Sequence, residues 1–216
     1  MSWRVERFRE APSASHARDL PSPAARAVWV FESTVPALVL GSTQPHEVVR
    51  PDVDVEVVRW RSGGGAVLVV PGDVLWVDVI VPAGDELWDD DVGRSFAWLG
   101  SAWQAALGDV GVATTVHGAG LLRTRWSDLV CFAGLGPGEL RNAAGEKVVG
   151  LSQRRTREAA RFQCAALGGW DPAALLDRLA LSDEERSRAA ADLGPVAAGV
   201  AAGLDVVLDG FLRRLP

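Results

Sequence analysis

The chain has 216 residues, of which 48% are hydrophobic and 23% charged, a length and composition typical of one globular domain with a sizeable core. Its net charge of −6 argues against general nucleic-acid binding, and no apolar run is long enough to cross a bilayer, so neither nucleic acid nor membrane is an expected partner. Two cysteines are too few for a disulfide framework and the N-terminus lacks a signal peptide, so we expect a cytoplasmic protein.

Strand signals begin close to the N-terminus. Residues 3–8 predict an edge strand, and the stretch rich in proline, alanine and serine at residues 11–25 indicates a loop. Two short apolar runs bounded by proline and glycine predict strands at residues 27–32 and 37–40.

Further strands are predicted on both sides of a glycine-rich stretch. Val53, Val55 and Val57 alternate with acidic residues at the period of a half-buried strand. Two β-branched runs, residues 66–70 and 74–81, are separated by a Pro-Gly-Asp turn and predict a hairpin in the middle of a sheet.

The first helix is expected near the aspartates of residues 89–91, because carboxylates stabilise a helix N-terminus. Its buried face is predicted from apolar residues that recur in steps of four and three: Val92, Phe96, Leu99, Trp103 and Ala106. Short strands are predicted at residues 114–116, 129–132 and 148–151.

The chain beyond residue 170 is predicted to be helical. Asp171 followed by Pro172 suits a helix start, and Ser182 with Glu185 has the spacing of a capping box. A last amphipathic helix is indicated by apolar residues at helical spacing: Val196, Val200, Leu204, Val207 or Leu208, and Phe211. Many strands, one long helix between them and a helical tail together predict an α+β fold.

A loop with three successive glycines joins two of the predicted strands. It runs Arg59-Trp60-Arg61-Ser62-Gly63-Gly64-Gly65-Ala66-Val67. Backbone amides without Cβ atoms can approach a ligand closely, and the flanking arginines favour an anion. A flexible hairpin turn with solvated arginines explains the same pattern. The loop is neither a Walker loop, since no Gly-Lys-Ser/Thr follows, nor a dinucleotide fingerprint.

The chain contains 21 arginines and a single lysine, Lys147. Where arginine serves almost everywhere, a retained lysine indicates a position that needs a compact ammonium, which a planar guanidinium does not replace. The alternative is an ordinary surface lysine beside a turn. Lys147 lies in Gly145-Glu146-Lys147-Val148-Val149-Gly150-Leu151-Ser152-Gln153-Arg154.

Residues 59–67 and 145–154, in this order and at this separation, resemble the lipoate–protein ligase A and octanoyltransferase family, which shares a catalytic domain with the biotin–protein ligases. The likeness extends from residue 27 to residue 179. Residues 38–44 resemble the family's early Gly-x-x-Gln strand end, and Asp128 stands where the family has an aspartate before a strand.

The resemblance implies a mixed, mainly antiparallel sheet with packed helices, the α+β architecture of the biotin/lipoate ligase, class II synthetase-like catalytic domain. It implies a single catalytic domain over residues 1–216. Residues 180–216 would form a helical tail, without the accessory C-terminal domain of the longer ligases.

The ligase chemistry implied by the resemblance attaches lipoate or octanoate to a lysine of a lipoyl domain. ATP, with Mg²⁺, and the free acid form an acyl-adenylate, which the acceptor lysine attacks. The acceptors would be lipoyl domains of 2-oxo acid dehydrogenase E2 or the glycine cleavage H protein. Lys147 would be the catalytic cation between carboxylate and phosphate. The implied substrate and adenylate site comprises Arg59, Arg61, Ser62, Gly63, Gly64, Gly65, Ala66, Val67, Asp128, Gly150 and Ser152; no metal ligands are assigned.

A second version of the chemistry uses no ATP and no cofactor. Cys131-Phe132, ahead of Lys147, resembles the cysteine-type octanoyltransferases, in which the cysteine takes the acyl group from acyl carrier protein as a thioester. Cys131 would then be the nucleophile, with Lys147 lowering its pKa or stabilising the oxyanion. The alternative is a buried strand cysteine, and Cys164 is interpreted as core filling.

Several departures from the family pattern keep other interpretations open. Val69-Val70 stand where many members have His-Asp, and Gln163-Cys164-Ala165 replace a His-Gly pair. A non-catalytic member that binds acyl chains or a partner is therefore a further hypothesis, and a generic α+β domain with a coincidental glycine loop is another. A basic cluster past the lysine motif forms either a solvated face or a docking patch for an acidic lipoyl domain or carrier protein; its members are Arg154, Arg155, Arg157 and Arg161.

Overall fold

The computed structural model describes residues 2–216, which form ten strands and five helices. The strands are β1 (Arg4–Glu10), β2 (Ala27–Ser33), β3 (Ala37–Leu40), β4 (Glu56–Arg59), β5 (Val67–Val69), β6 (Val74–Pro82), β7 (Thr114–Val116), β8 (Leu140–Asn142), β9 (Lys147–Arg155) and β10 (Ala159–Leu167). The helices are α1 (Pro12–Ala17), α2 (Ala97–Asp109), α3 (Pro172–Leu176), α4 (Asp183–Leu193) and α5 (Leu204–Arg214).

The strands build two sheets. Seven strands pair in the order β1-β2-β6-β10-β9-β8-β7, and three pair in the order β4-β3-β5. In the large sheet all pairs are antiparallel except β1 with β2, and in the small sheet β3 is parallel to β4 and antiparallel to β5. The predicted mixed, mainly antiparallel α+β fold is confirmed.

Alternating side chains of the large sheet face two different layers. On one face Val77 and Val79 pack with Leu99 and Trp103 of α2 and with α5, where Trp103 stacks on Phe211 with ring centroids 4.2 Å apart. On the other face the small sheet covers Trp76 and Ile80 and their neighbours. The far side of the small sheet is covered in turn by α3 and α4. The order of layers is therefore helices, large sheet, small sheet, helices.

The central strand β10 has no counterpart among the predicted elements. Its nine residues are all buried, so it shows no alternation of polar and apolar positions. Two polar residues, Arg161 and Gln163, interrupt its apolar sequence and obscure the strand signal. Arg161 is accommodated because its Nε donates to the buried carboxylate of Asp78 at 2.5 Å.

Two predictions about pairing are wrong. Residues 66–70 and 74–81 do not form a hairpin, because β5 and β6 leave the Pro-Gly-Asp turn for different sheets. Residues 129–132 are not a strand, since Cys131–Ala133 is a short 3-10 turn and only Val130 makes an isolated parallel bridge, to Ala66.

Some element boundaries also differ from those predicted. The stretch at residues 11–25 contains α1, which begins with Pro12 in its first turn. The aspartates of residues 89–91 precede a 3-10 turn and α2 begins only at Ala97, so Val92 lies outside it and is 52% exposed. Likewise α5 begins at Leu204, after Val196 and Val200.

The remaining helix signals are confirmed. Asp171 caps α3 by accepting a hydrogen bond from the Ala173 amide, and Ser182 with Glu185 forms the capping box of α4. Strands β2, β3, β7 and β9 lie where strands were predicted, whereas only the last part of the alternating valine stretch pairs, as β4. Within residues 2–216 no helix has both the length and the apolar character that a bilayer crossing requires.

Candidate functional site

A cleft of about 730 Å³ opens between the glycine loop, residues 121–136 and the first half of β9. The two motifs that are far apart in sequence therefore line one cavity. The predicted site residues in its wall are Gly63, Gly64, Gly65, Asp128, Cys131, Lys147 and Ser152. The cleft is also lined by residues that the sequence did not single out as site residues, among them Gln44, Arg123, Arg125, Glu139 and Leu151.

The glycine loop follows its path because two of its residues lack a side chain. Gly64 has a φ of +112°, a conformation that side chains rarely adopt. A Cβ on Gly65 would lie 2.5 Å from the backbone of Val130, so this close approach also requires glycine. The approach is completed by hydrogen bonds from the amide of Ala66 to Leu129 (2.8 Å) and from that of Cys131 to Ala66 (3.0 Å).

Ser62 anchors the loop to the large sheet. The hydroxyl is buried and donates to Oε1 of Gln163 on β10 at 3.0 Å. It also lies 3.0 Å from the hydroxyl of Ser152 on β9. Gln163 of the large sheet therefore supports the glycine loop through Ser62.

Six predicted substrate-site residues lie outside the cleft wall: Ser62, Gly150 and four others, Arg59, Arg61, Ala66 and Val67. The guanidinium of Arg59 donates to the carbonyls of Gly41 (3.1 Å) and Gln44, and thus braces the end of β3. Arg61 pairs with Asp19 at 3.2 Å. Ala66 and Val67 are buried in the core beside β3. Substrate contact by these four residues stays a prediction.

Lys147 is buried, so the interpretation as an ordinary surface lysine is wrong. It is 3% exposed, and its Nζ lies 2.8 Å from a carboxylate oxygen of Glu139. The ammonium also donates to the carbonyls of Gly134 (3.0 Å) and Cys131 (3.2 Å). Its Nζ lies 4.9 Å from the centre of the Phe132 ring.

The predicted Gly150 does not line the cleft but makes room for this lysine. A Cβ on Gly150 would lie 3.3 Å from Cε and 3.6 Å from Nζ of Lys147. The lysine begins β9, where a bulge between Leu140 and Arg141 shifts the pairing with β8. Gly150 and the bulge are therefore both part of the local structure that brings the ammonium to the cleft.

Cys131 lies in the 3-10 turn at the cleft and is not a strand residue. The residue is partly exposed, and its Sγ is 3.9 Å from the position that a Cβ on Gly64 would take. Although the residue is partly exposed, desolvation by the groups packed around it raises the pKa of its thiol; the Lys147 ammonium acts against the rise and Glu139 adds to it. Cys164 is fully buried on β10, and burial raises the pKa of its thiol too, as expected for core filling.

The rim of the cleft carries charged residues. Asp128 is exposed and pairs with Arg123. Arg125 lies over the Trp126 ring, 4.8 Å from its centre, and has no ion-pair partner within residues 2–216. Its guanidinium is therefore available to an anion that enters the cleft.

Glu139 was not predicted from the sequence to be a site residue. The only signal in the sequence is weak: Glu139 is an acidic residue eight positions ahead of the single lysine. Arg123 and Arg125 gave no sequence signal beyond their charge. Of the tryptophans, Trp126 lines the cleft, while Trp60 and Trp76 pack together in the core with ring centroids 5.4 Å apart.

The family comparison decides which group of proteins this arrangement belongs to. The model of the lipoyl protein ligase A/B catalytic domain matches residues 15–202. The chain belongs to the lipoyl protein ligase A/B family. The resemblance carried by residues 59–67 and 145–154 is thus confirmed, and the match reaches further in both directions than residues 27–179.

Solved structures of lipoate ligases share the fold of this family member. A bi-partite lipoate protein ligase of Thermoplasma acidophilum, described with its E2 lipoyl domain, is 17% identical with a TM-score of 0.76, over 99% of this chain and 82% of that one. A lipoate-protein ligase A bound with ATP is 16% identical with a TM-score of 0.70, over 99% and 84%. The T. acidophilum protein Ta0514 with bound lipoic acid is 18% identical with a TM-score of 0.70, over 99% and 84%. No curated protein matched the chain.

Proposed function

We propose that this protein attaches lipoate or octanoate to a lysine of a lipoyl domain and uses ATP to activate the acid as an acyl-adenylate. The proposal is carried by one observation, that Lys147 and the Gly63–Gly65 loop line the same cleft. Family membership supports it, and related structures are described with ATP, with lipoic acid and with an E2 lipoyl domain.

The proposed activation joins two anions, so its main difficulty is electrostatic. A carboxylate oxygen of the acid attacks the α-phosphorus of ATP, and pyrophosphate leaves. Lys147 offsets the negative charge where the two groups meet, and Arg125 at the rim is placed to contact phosphate oxygens. Residues 63–65 line the cleft without Cβ atoms, so their backbone amides can approach the same oxygens.

The second proposed step transfers the acyl group. The amine of the acceptor lysine attacks the carbonyl carbon of the acyl-adenylate, AMP leaves, and an amide forms. The cleft is open at the rim formed by Arg123, Arg125 and Asp128, which gives an acceptor lysine a route to the reacting carbon. Lipoyl domains of E2, and the glycine cleavage H protein, are the proposed acceptors.

Magnesium is proposed to enter with the phosphates of ATP. Within residues 2–216 no group of three or more His, Cys, Asp or Glu side chains is placed to hold a metal ion. The ion would then be held mainly by substrate phosphates and water, with one or two carboxylates of the protein at most. Asp128, exposed at the rim, is the carboxylate nearest to such a role.

Thioester transfer without ATP is the second candidate, and Cys131 is the observation that favours it. Its thiol lies in the same cleft beside Gly64. The thiolate would attack octanoyl carrier protein, release the carrier thiol and hold the octanoyl group until the acceptor amine displaces it. We rank this route second because the thiol pKa is raised and Lys147 bonds to the carbonyl of Cys131, not to its sulfur.

The test is the intact mass of a lipoyl-domain acceptor after two parallel incubations with the protein. One contains ATP, Mg²⁺ and free octanoate or lipoate, and the other contains octanoyl carrier protein without nucleotide. A mass gain in the first alone supports ligation, and a gain in the second alone supports the Cys131 route. No gain in either contradicts both and leaves the non-catalytic, acyl- or partner-binding hypothesis. A cytoplasmic location and a single catalytic domain stay predictions.

A further inference from the structure

The Lys147 ammonium already has three partners within the protein. It donates hydrogen bonds to the Gly134 carbonyl at 3.0 Å and the Cys131 carbonyl at 3.2 Å, and it forms an ion pair with Glu139, whose carboxylate oxygen lies 2.8 Å from Nζ. An anion that enters the cleft therefore competes with these three groups for Lys147.

The carboxylate of Glu139 is the most firmly held of these acceptors. One oxygen accepts from the Leu151 amide at 2.9 Å; the other accepts from the Gly136 amide at 2.6 Å and lies 2.8 Å from the Lys147 ammonium as its ion-pair partner. The residue is 4% exposed. Because β9 and the 134–139 turn both hold the carboxylate, its position is set by the fold, and it sets the position of the ammonium in turn.

The two carbonyls differ from Glu139 in charge and in the strength of their bonds. Hydrogen bonds between two charged groups are shorter and stronger than those from an ammonium to a neutral carbonyl. The bond to the Cys131 carbonyl is the longest of the three, and Cys131 lines the cleft directly. An entering anion therefore displaces this carbonyl at the lowest cost.

We propose that Glu139 is the positioning residue of the site: it retains Lys147 at the cleft wall while a substrate oxygen takes the hydrogen now donated to the Cys131 carbonyl. This inference rests on the proposed function for its substrate, but the Glu139–Lys147 contact itself does not. Glu139 touches no reacting atom and acts through Lys147. Its carboxylate also balances the ammonium charge in a buried place until the anion arrives.

The first test measures whether Glu139 restrains Lys147, and it needs no substrate. Lys147 is the only lysine of the chain, so an amine-acetylating reagent followed by peptide mass spectrometry reports on this side chain without overlap from others. We expect Glu139→Gln to raise the acetylation rate of Lys147 about tenfold or more, since the ion pair that holds the ammonium is lost. Glu146→Gln is the matched control, because Glu146 is adjacent in sequence but bonds to Asn142.

The second test separates positioning from a general structural role. In ATP–pyrophosphate exchange with octanoate or lipoate, we expect Glu139→Gln to lower kcat about tenfold or more while KM for ATP stays within about threefold, because the proposed phosphate contacts of Arg125 and the glycine loop do not involve Glu139. Urea unfolding of the same variant confirms that it is folded under the assay conditions. Glu146→Gln is expected to retain both constants.

Two results would overturn the inference. An unchanged acetylation rate in folded Glu139→Gln would show that the carboxylate does not restrain Lys147, and an unchanged kcat would show that the restraint has no catalytic role. If the wild-type protein exchanges no pyrophosphate, the proposed function fails, and the acetylation test still decides whether Glu139 positions the lysine.

Discussion

His16 packs edge-on against Trp76, with the two ring centroids 4.9 Å apart. The imidazole lies on α1, in a stretch whose sequence indicated a loop, and it is 6% exposed. Burial lowers its pKa to about 4, and the positive charge of Arg161 acts in the same direction. The folded protein therefore holds His16 neutral under conditions in which the unfolded chain protonates it.

This burial predicts an acid-sensitive contribution to stability. Because the folded pKa of about 4 lies below the unfolded value of 6.5, the contribution is complete above pH 6.5 and is lost as the pH falls towards 4. The loss amounts to about 3 kcal/mol of unfolding free energy. Urea unfolding at pH 7 and pH 4.5 should show a smaller loss for His16→Gln than for wild type. His46→Gln, at an exposed histidine, is the control, and an equal loss in all three would contradict the prediction.

The geometry of the glycine loop predicts different stabilities for alanine substitutions at Gly63 and Gly65. Gly65→Ala places a Cβ 2.5 Å from the Val130 backbone and should cost about 1–3 kcal/mol, as overpacking does. Gly63→Ala meets no atom within 4 Å, so its unfolding free energy should stay within about 0.5 kcal/mol of wild type. Denaturant unfolding of both variants checks the difference. Equal stabilities would mean that the loop does not approach residue 130 as closely as described.

Substitution of Cys131 distinguishes the two proposed mechanisms. With ATP and free acid, Cys131→Ser should modify the acceptor at a rate within about threefold of wild type, because an acyl-adenylate route uses no thiol. Acceptor mass against time gives the rate. If the wild-type protein transfers octanoate from the carrier protein and Cys131→Ser does not, the thiol is instead identified as the nucleophile.

Substitution of Arg125, at the rim of the cleft, is expected to weaken the binding of ATP. Arg125→Ala should raise KM for ATP about tenfold or more, the cost of one charge-assisted bond to phosphate, with little change in kcat. Arg213→Ala, on the exposed part of α5, is the control. A steady-state series in ATP measures both constants, and equal KM values would remove Arg125 from the phosphate site.

We expect Lys147→Ala to lower the free energy of unfolding as well as to abolish acyl transfer. Lys147→Ala leaves the buried carboxylate of Glu139 without its cation, which should cost about 3–5 kcal/mol. The double variant Lys147→Ala with Glu139→Gln should lose less than the sum of the two single variants, because it removes the uncompensated charge. Denaturant unfolding of the four proteins completes the cycle, and strict additivity would mean that the pair is not coupled.

Much of the fold was predictable because its signals are local. The apolar runs of β2, β3 and β9 and the caps of α3 and α4 are short patterns that the structure confirms. Strand partners are not local. The turn at residues 71–73 is compatible with a hairpin, and only the competition between two sheets decides that β5 and β6 separate. β10 was missed because a strand buried on both faces has no alternation.

The candidate site was predictable where a residue type was unusual in the chain. A single lysine and three successive glycines attract attention in any sequence, and both line the cleft. Glu139 has no such mark, since its importance arises from the contacts that β9 and the preceding turn create around it. Arg59 shows the reverse case. Its position before the glycines suggested an anion contact, but in the folded chain its guanidinium donates hydrogen bonds to backbone carbonyls.

The single lysine has a chemical consequence for a cleft proposed to hold an activated acyl group. Such a group reacts with any neutral amine within reach, including those of the protein that made it. Guanidinium groups remain protonated at neutral pH, and the one side-chain amine here is a buried ammonium that pairs with Glu139 and donates to two carbonyls. We therefore expect the chain to resist acylation of its own side chains, so that the reactive acyl group is kept for the amine that a partner protein brings.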